Sequence, residues 1–519
     1  MPCPHSAGRI PADSAMLLLK KLLLLDLWRI LRCMPRRLRG LLYGLFLLML
    51  GVAVLEVLSI FAISFVAMSV AAPQALLENP LVQRVLLLVP DLRDWCADPR
   101  HFTLLAAMSV VGLTLLKNAL SAVQFWQGSR LGEEVAIFAG GRIMGHFLNS
   151  PYLWHLSADS GKTWMTLEAR TQLSQTLLHI LNVYTYGLTS VALLAALVSI
   201  TPGVVLCCLT GAALIACLVY SSMKKTLDRC GQAAIRASEE EVRTTRNAMR
   251  GIREVLIYRQ QPTFLQSYLR ACRNALRPRI FINVSPSIPP WILEVCGFAA
   301  IPATVWILVA IRDADMAAIA SVVTMVMLVA WRILPLLNRS LSSLVCIRGN
   351  RAGAMQCLEQ LEAIARQELP PQAEPDPDFR FAQEIRLENV SFCYPGAERP
   401  ALRSLSCVMG KGRQTGIIGI SGSGKSTLAG IISGLLTPDS GSLLVDGREL
   451  TPQGLAAYTG KIGYVPQTPY LMAGSIAENV AFSQWGKPWD AEKVHRACRM
   501  AALDIVETDP RGIEYPLGE

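Results

Sequence analysis

GISGSGKS, Gly419 to Ser426, decides how the C-terminal part of this chain is read. The stretch fits G-x-x-x-x-G-K-[ST], in which a glycine-rich turn lets backbone N–H groups surround an anion at a helix start. Lys425 is placed to reach the β- and γ-phosphates of a nucleotide, and the Ser426 hydroxyl to ligate Mg²⁺. Gly419, Ser421, Gly422, Ser423, Gly424 and Thr427 complete the phosphate-cradling set. The flanks suit this Walker A reading. An apolar strand is expected over Thr415 to Ile420, and a helix over Ser426 to Leu435.

Working outward from the loop, most of the preceding chain has another character. Apolar residues make up 52% of the 519 residues and charged residues only 17%, with a mean hydropathy of +0.38. Soluble domains carry about a quarter charged residues, so much of this chain is expected to face lipid. Six apolar stretches of bilayer length are expected at 41–72, 102–126, 177–200, 203–221, 291–311 and 316–337. A soluble NTPase is excluded by them. The net charge of +10 is explained by Lys and Arg gathered in cytoplasmic loops, not by a nucleic-acid partner. The basic cluster Arg36, Arg37, Arg39 puts the N-terminus in the cytoplasm. The loops 127–176 and 222–290 are then cytoplasmic and long enough for two pairs of helices reaching out of the membrane.

Met16 to Cys33 is leucine-rich but broken by Lys20, Lys21, Asp26 and Arg29, which suits an interfacial helix. Residues 1–15 are expected to be unstructured, with translation starting at Met16 as an alternative. The segment 73–101 is expected outside the membrane. The 14 cysteines lack zinc-ligand spacing and are expected as reduced thiols. Gln367 to Phe379 is acidic and Pro-rich, a linker composition. Asp446–Gly447 after an apolar run marks a hairpin turn. The expected domains are 1–40 (N-terminal segment), 41–350 (membrane domain), 351–383 (linker) and 384–519 (nucleotide-binding domain, N-terminal part).

Taken together, these motifs resemble an ABC exporter half-transporter. The fold implied is an α-helical transmembrane domain of six spans followed by a truncated α/β P-loop nucleotide-binding domain. Tyr394 in SFCYP matches the family's aromatic loop, implying an adenine stack. Gln467 in GYVPQTPYL matches its Q-loop, implying a contact to Mg²⁺ and the attacking water. The implied cofactors are ATP and Mg²⁺. Nothing in the sequence corresponds to the family's signature, Walker B aspartate, catalytic glutamate or switch histidine. Since phosphoryl transfer depends on a positioned water and charge stabilisation, a homodimer of these 519 residues is expected to hold nucleotide and hydrolyse it barely, if at all. An incomplete or split cassette is the expectation, over a non-hydrolysing remnant.

LEVLSIFAISF (Leu55 to Phe65), LLKNALSAVQ (Leu115 to Gln124), FLNSPYLWHLSADSG (Phe147 to Gly161), PPWILEVCGF (Pro289 to Phe298) and WRILPLLNRS (Trp331 to Ser340) are similar to bacterial lipid-linked oligosaccharide flippases. The resemblance implies a polyprenyl-pyrophosphate-linked glycan as substrate and the bacterial cytoplasmic membrane as location, with N-terminus and cassette cytoplasmic. It also implies a homodimer or a second cassette-bearing chain as partner. The alternatives are export of another amphiphile (a lipid A-type glycolipid, a peptide or a drug) and a nucleotide-binding subunit without hydrolysis.

Glu56, Lys117, Glu294 and Arg332 lie inside expected spans, where charge is costly and marks function. Lys117 and Arg332 are candidates for a pyrophosphate headgroup. An internal Glu56–Lys117 ion pair, or snorkelling of Arg332, is the structural alternative. Pro151 to Gly161 and Arg259 to Tyr268 are expected as short coupling helices, with His155 an interface residue. Asp439 and Glu478 are read as turn and surface residues.

Overall fold

The computed structural model describes residues 28–71, 98–157, 160–200, 202–312, 316–367, 373–467 and 469–518. The chain divides into two compact units, Met1–Pro370 and Pro371–Glu519. The interfacial-helix expectation falls mostly outside the described residues, of which 28–33 are helical. The external segment expected at 73–101 is described only from residue 98.

The first unit is helical. Its long helices are α1 (Arg36–Ala71), α2 (Pro99–Asn149), α4 (Ser160–Ile200), α5 (Pro202–Arg250), α8 (Ile288–Arg312) and α9 (Met316–Arg366). Within the described residues, each of the six expected stretches falls in one of these six helices. Shorter elements join them: α3 (Tyr152–Ser157), α6 (Ile252–Ile257), and the 24-residue α7 (Gln261–Val284). Among the described residues, four stretches are long and apolar enough to cross a bilayer: Arg36–Val70, Arg100–Asn149, Thr163–Ala195 and Gln261–Ala303. The spans expected at 203–221 and 316–337 are helical within α5 and α9, but many of their side chains lie outside the described set.

α1 shows why these helices suit lipid. Leu38, Leu42, Leu45, Met49 and Ala53 recur at spacings of four and three and are buried, while Leu47, Leu50, Val54 and Leu58 on other faces are exposed. In water that outer surface would be an aggregation patch; in a bilayer it is the solvated face. The inner stripe packs with Leu131, Val135 and Ala139 of α2, Leu173 and Leu177 of α4, and Cys357 and Leu358 of α9. Small residues let the helix backbones approach closely, within the spans and beyond them. The side chain of Gln172 occupies the space that a Cβ on Gly353 would need.

The helices outrun their spans. From residue 126, α2 continues to Asn149, about 35 Å at 1.5 Å per residue. α2 with α4, and α5 with α7, form the two expected pairs of extended helices. One detail differs. The short helix of the second loop is Ile252–Ile257, not Arg259 to Tyr268. Gly251 ends α5, Arg259 takes a left-handed φ of 52°, and the Gln261–Val284 helix starts at once, with Pro262 in its first turn. Residues 351–366, read as the start of the linker, are the last turns of α9.

The second unit holds a four-stranded antiparallel sheet, order β2-β1-β3-β4, from β1 (Glu384–Phe392), β2 (Leu402–Gly410), β3 (Ser440–Val445) and β4 (Arg448–Glu449). A bulge around Asn389 (φ 48°) shifts the register, so that Leu387 and Val390, three residues apart, both face inward. Asp446 and Gly447, with φ of 51° and 74°, make the expected tight turn between β3 and β4. α10 (Lys425–Ile432) lies between β2 and β3, and α11 (Pro452–Thr459), α12 (Ile476–Val480), α13 (Ala491–Met500) and α14 (Ile505–Thr508) follow β4. A small pair of β5 (Gly474–Ser475) and β6 (Pro516–Leu517) closes a satellite core around Ile476, Val494 and Ile513.

Candidate nucleotide site

The glycine-rich turn is built by backbone conformations that side chains resist. Gly422 and Gly424 have φ of 80° and 89°, the left-handed region open to glycine at little cost. At Gly424 space demands glycine as well, because a Cβ there would stand 2.6 Å from the Ala401 carbonyl oxygen. Gly424 is the N-cap of α10, so the first N–H groups of that helix face the turn unsatisfied, with the positive end of the helix dipole behind them. Lys425 folds back over the turn, its Nζ donating to the Gly419 and Ile420 carbonyls at 2.8 and 2.7 Å. An ammonium thus spans the mouth of a ring of amide donors. Phosphate is what such a ring binds.

Tyr394 lies beside the turn. Its hydroxyl lies 3.2 Å from Oγ1 of the buried Thr427, and its ring stands edge-on to Phe392 at 5.0 Å. Asp439 holds the preceding residue, its Oδ2 accepting the Cys393 N–H at 2.7 Å. The sequence showed Asp439 only as a turn residue; its role in placing the aromatic loop arises from β3 lying beside β1. Glu478 caps α12 through a reciprocal box with Ser475, a structural role as expected.

Two expectations meet a different outcome. Thr415 to Ile420 forms no strand and pairs with no neighbour among the described residues. Ile418 and Ile420 are 98% and 82% exposed. A strand is defined by a ladder, and here no partner strand lies beside the segment. Gln467 sits at the end of a similarly uncovered run, with Val465 89% exposed, and no hydrogen bond joins it to the phosphate turn among the described residues.

For Mg²⁺, the donors on offer are the exposed Ser426 hydroxyl and the Gln467 amide oxygen. Both are hard oxygen ligands of the kind that supplement phosphate oxygens and water around this ion. Among the described residues no cluster of His, Cys, Asp and Glu suits a metal. The residues present fit a metal carried in with the nucleotide.

Of the four charged residues expected in spans, Lys117 and Glu56 form an ion pair at 2.8 Å between α2 and α1, both largely buried. Glu294 is exposed on α8. The Arg332 side chain lies outside the described residues. His155 packs edge-to-face with Phe147 and Trp154 at 4.8 and 5.0 Å, in the α2–α3 turn.

The fold and the turn define a helical transmembrane-type domain followed by a domain of nucleotide-binding type. Residues 402–515 match the family described as ABC transporter. The chain is 31% identical over 184 residues to the ATP-dependent lipid A-core flippase of Salmonella typhimurium, covering 35% of this chain and 31% of the relative. Against the flippase of the same name from Escherichia coli K12, it is 33% identical over 141 residues, 27% of this chain and 24% of the relative. The matched region thus spans less than a third of either relative's length. Among solved structures, a bacterial Atm1-family ABC exporter with ATP bound superposes with a TM-score of 0.66 at 18% identity, covering 93% of this chain and 80% of that one. That likeness is one of fold.

Proposed function

We propose that this chain is the membrane-spanning and nucleotide-binding part of an ATP-driven exporter that moves a lipid-type amphiphile from the cytoplasmic leaflet outward. The observation that carries this reading is the Lys425-crossed glycine turn at the start of α10, in one chain with helices whose outer faces are Leu- and Val-rich. ATP would rest its phosphates on Gly419 to Thr427 and its base near Tyr394, with Mg²⁺ reached by Ser426 and Gln467. A second copy, or another cassette-bearing chain, would complete the catalytic site. The proposed location is a bacterial cytoplasmic membrane, with the nucleotide-binding unit in the cytoplasm.

For the substrate, the similarity to lipid A-core flippases favours a phosphorylated glycolipid, of which a polyprenyl-pyrophosphate-linked oligosaccharide is the finer reading. The Glu56–Lys117 pair bears on this choice. Lys117 is already neutralised, so it contributes to headgroup binding only if the pair opens. Arg332 and Glu294 remain candidates to line the path.

The test is nucleotide binding followed by translocation. Lys425→Ala should weaken ATP binding about 10- to 100-fold, the worth of a charge-assisted contact. Proteoliposomes containing a fluorescent phosphorylated glycolipid then report whether ATP drives it across. Unchanged ATP affinity in Lys425→Ala sinks the nucleotide reading. Hydrolysis measured on the same preparation separates an exporter from a subunit that only binds.

A further inference from the structure

We infer that Asp439 is a positioning residue for the base half of the nucleotide: its carboxylate sets the loop that carries Tyr394, and through that loop the strength with which the ring holds adenine. The inference rests on the adenine reading of Tyr394 proposed above. It adds an effect of Asp439 on nucleotide affinity that works only through that ring.

The loop runs from the end of β1 at Phe392 to the start of β2 at Leu402, and the Ala401 N–H closes its base by donating to the Phe392 carbonyl at 2.8 Å. Within it, Tyr394 to Ala397 form a type II turn. The Ala397 N–H donates to the Tyr394 carbonyl at 3.0 Å, with Pro395 in the second position and Gly396, at φ 79°, in the third. That turn fixes the chain after Tyr394. Before it stands Cys393, just past the last residue of β1, and its N–H is taken by Asp439 Oδ2 at 2.7 Å. At its far end the Tyr394 hydroxyl lies 3.2 Å from Thr427 Oγ1 on α10. A ring held in this way is ordered before the base arrives, whereas a loose ring must give up freedom on binding.

Asp439 reaches the loop because β3 approaches β1 closely. Its own N–H donates to the Ser391 carbonyl at 2.9 Å, and the next residue, Ser440, is in register with Ser391. Gly441, at φ 80°, permits this approach, since a Cβ there would collide with the Glu388 and Asn389 carbonyl oxygens. The bulge of β1 and the glycine opposite it thus bring Asp439 to Cys393 across 46 positions of sequence. The strand is held by its backbone, and among the described residues the Asp439 carboxylate accepts no other hydrogen bond. Losing the carboxylate therefore leaves β3 in place and frees the residue before Tyr394.

The test is a double-variant cycle on the full chain in detergent, with ATP affinity read by displacement of a fluorescent ATP analogue. Asp439→Ala should weaken ATP binding about three- to fivefold, less than loss of the ring, because the contact meets solvent. In a Tyr394→Ala background the same substitution should cost nothing further, since the two residues act as one unit. Asp439→Asn keeps an acceptor oxygen and should bind ATP nearly as well as the parent. Tripolyphosphate, which has no base to stack, should bind all of these proteins alike. An equal cost of Asp439→Ala in both backgrounds, or a matching loss of tripolyphosphate, would make Asp439 a residue of the fold and overturn the proposal. Unchanged ATP affinity in Asp439→Ala, beside a weakened Tyr394→Ala, overturns it too. If Tyr394→Ala itself binds ATP as the parent does, the adenine reading falls, and this inference with it.

Discussion

At Gly424 the motif and the geometry agree for a reason a single residue can show. Its φ of 89° and the Ala401 carbonyl 2.6 Å from any Cβ mean that Gly424→Ala carries both a backbone and a steric penalty. The variant should lose about 1–3 kcal/mol of stability in chemical denaturation and lose nucleotide protection with it; an unchanged midpoint would mean the turn is not held as described. Tyr394 offers a finer dissection. Tyr394→Phe removes the hydroxyl near Thr427 but keeps the ring, and should change ATP affinity little. Tyr394→Ala removes the stacking surface and should weaken binding about tenfold, at about 1–3 kcal/mol per stacked base. Equal effects of the two substitutions, read by titration of a fluorescent ATP analogue, would assign Tyr394 to the fold and not to adenine. Glycines and the lysine of the turn were legible in the sequence because the spacing itself is the mechanism. The part played by Asp439 was not, because its partner, the Cys393 N–H, is 46 residues away.

Between elements, two contacts make predictions of opposite kind. Glu56 and Lys117 tie α1 to α2 where the environment is apolar. Removing one partner strands a charge, so Glu56→Gln or Lys117→Met alone should cost more than the two together. Thermal unfolding in detergent is the measurement, and a double variant as damaged as the sum of both singles would argue that the charges act independently. Asp446 ties the β3–β4 turn to the chain entering β1. Although burial would raise it, the amide groups of Ala382, Glu384 and Gln383, with Lys411, hold its carboxyl below the ordinary value of 3.8. A depressed carboxyl stabilises the fold above its unfolded value and stops doing so as the pH falls through its folded value. Asp446→Asn, which keeps a side chain tolerated at this left-handed φ, should therefore cost about 1 kcal/mol at neutral pH, discounted because the turn meets solvent. The cost should vanish once the pH is well below 3.8; a pH-independent difference would mean that the carboxylate is not the acceptor. The turn itself was legible in the sequence as Asp-Gly, whereas its three amide donors are brought in by β1.

The whole molecule adds the question of sides. In the proposed orientation, with the N-terminus in the cytoplasm, the α5–α6–α7 elbow would face the cytoplasm, and Tyr258 at its tip is 70% exposed. Tyr258→Cys should gain labelling by a membrane-impermeant maleimide in inverted vesicles and not in intact cells. Labelling from outside would reverse the orientation read from Arg36, Arg37 and Arg39.

The sequence by itself determined the two-part organisation, the long helices with apolar stretches, four of them of bilayer length among the described residues, and the phosphate turn. Each of these is written in local features: the length of an apolar run, the placing of basic residues, the spacing of glycines around one lysine. Tertiary structure alone decided the rest. Whether Lys117 meets a headgroup or Glu56 depended on the register of α1 against α2, which the two apolar runs leave open. Whether Thr415 to Ile420 becomes a strand depended on a neighbour to bond with, since a single extended segment cannot satisfy its own backbone groups. The Arg29–Glu362 contact joins residues 333 positions apart in the chain, and only the packing of the last turns of α9 against the first described residues brings them together.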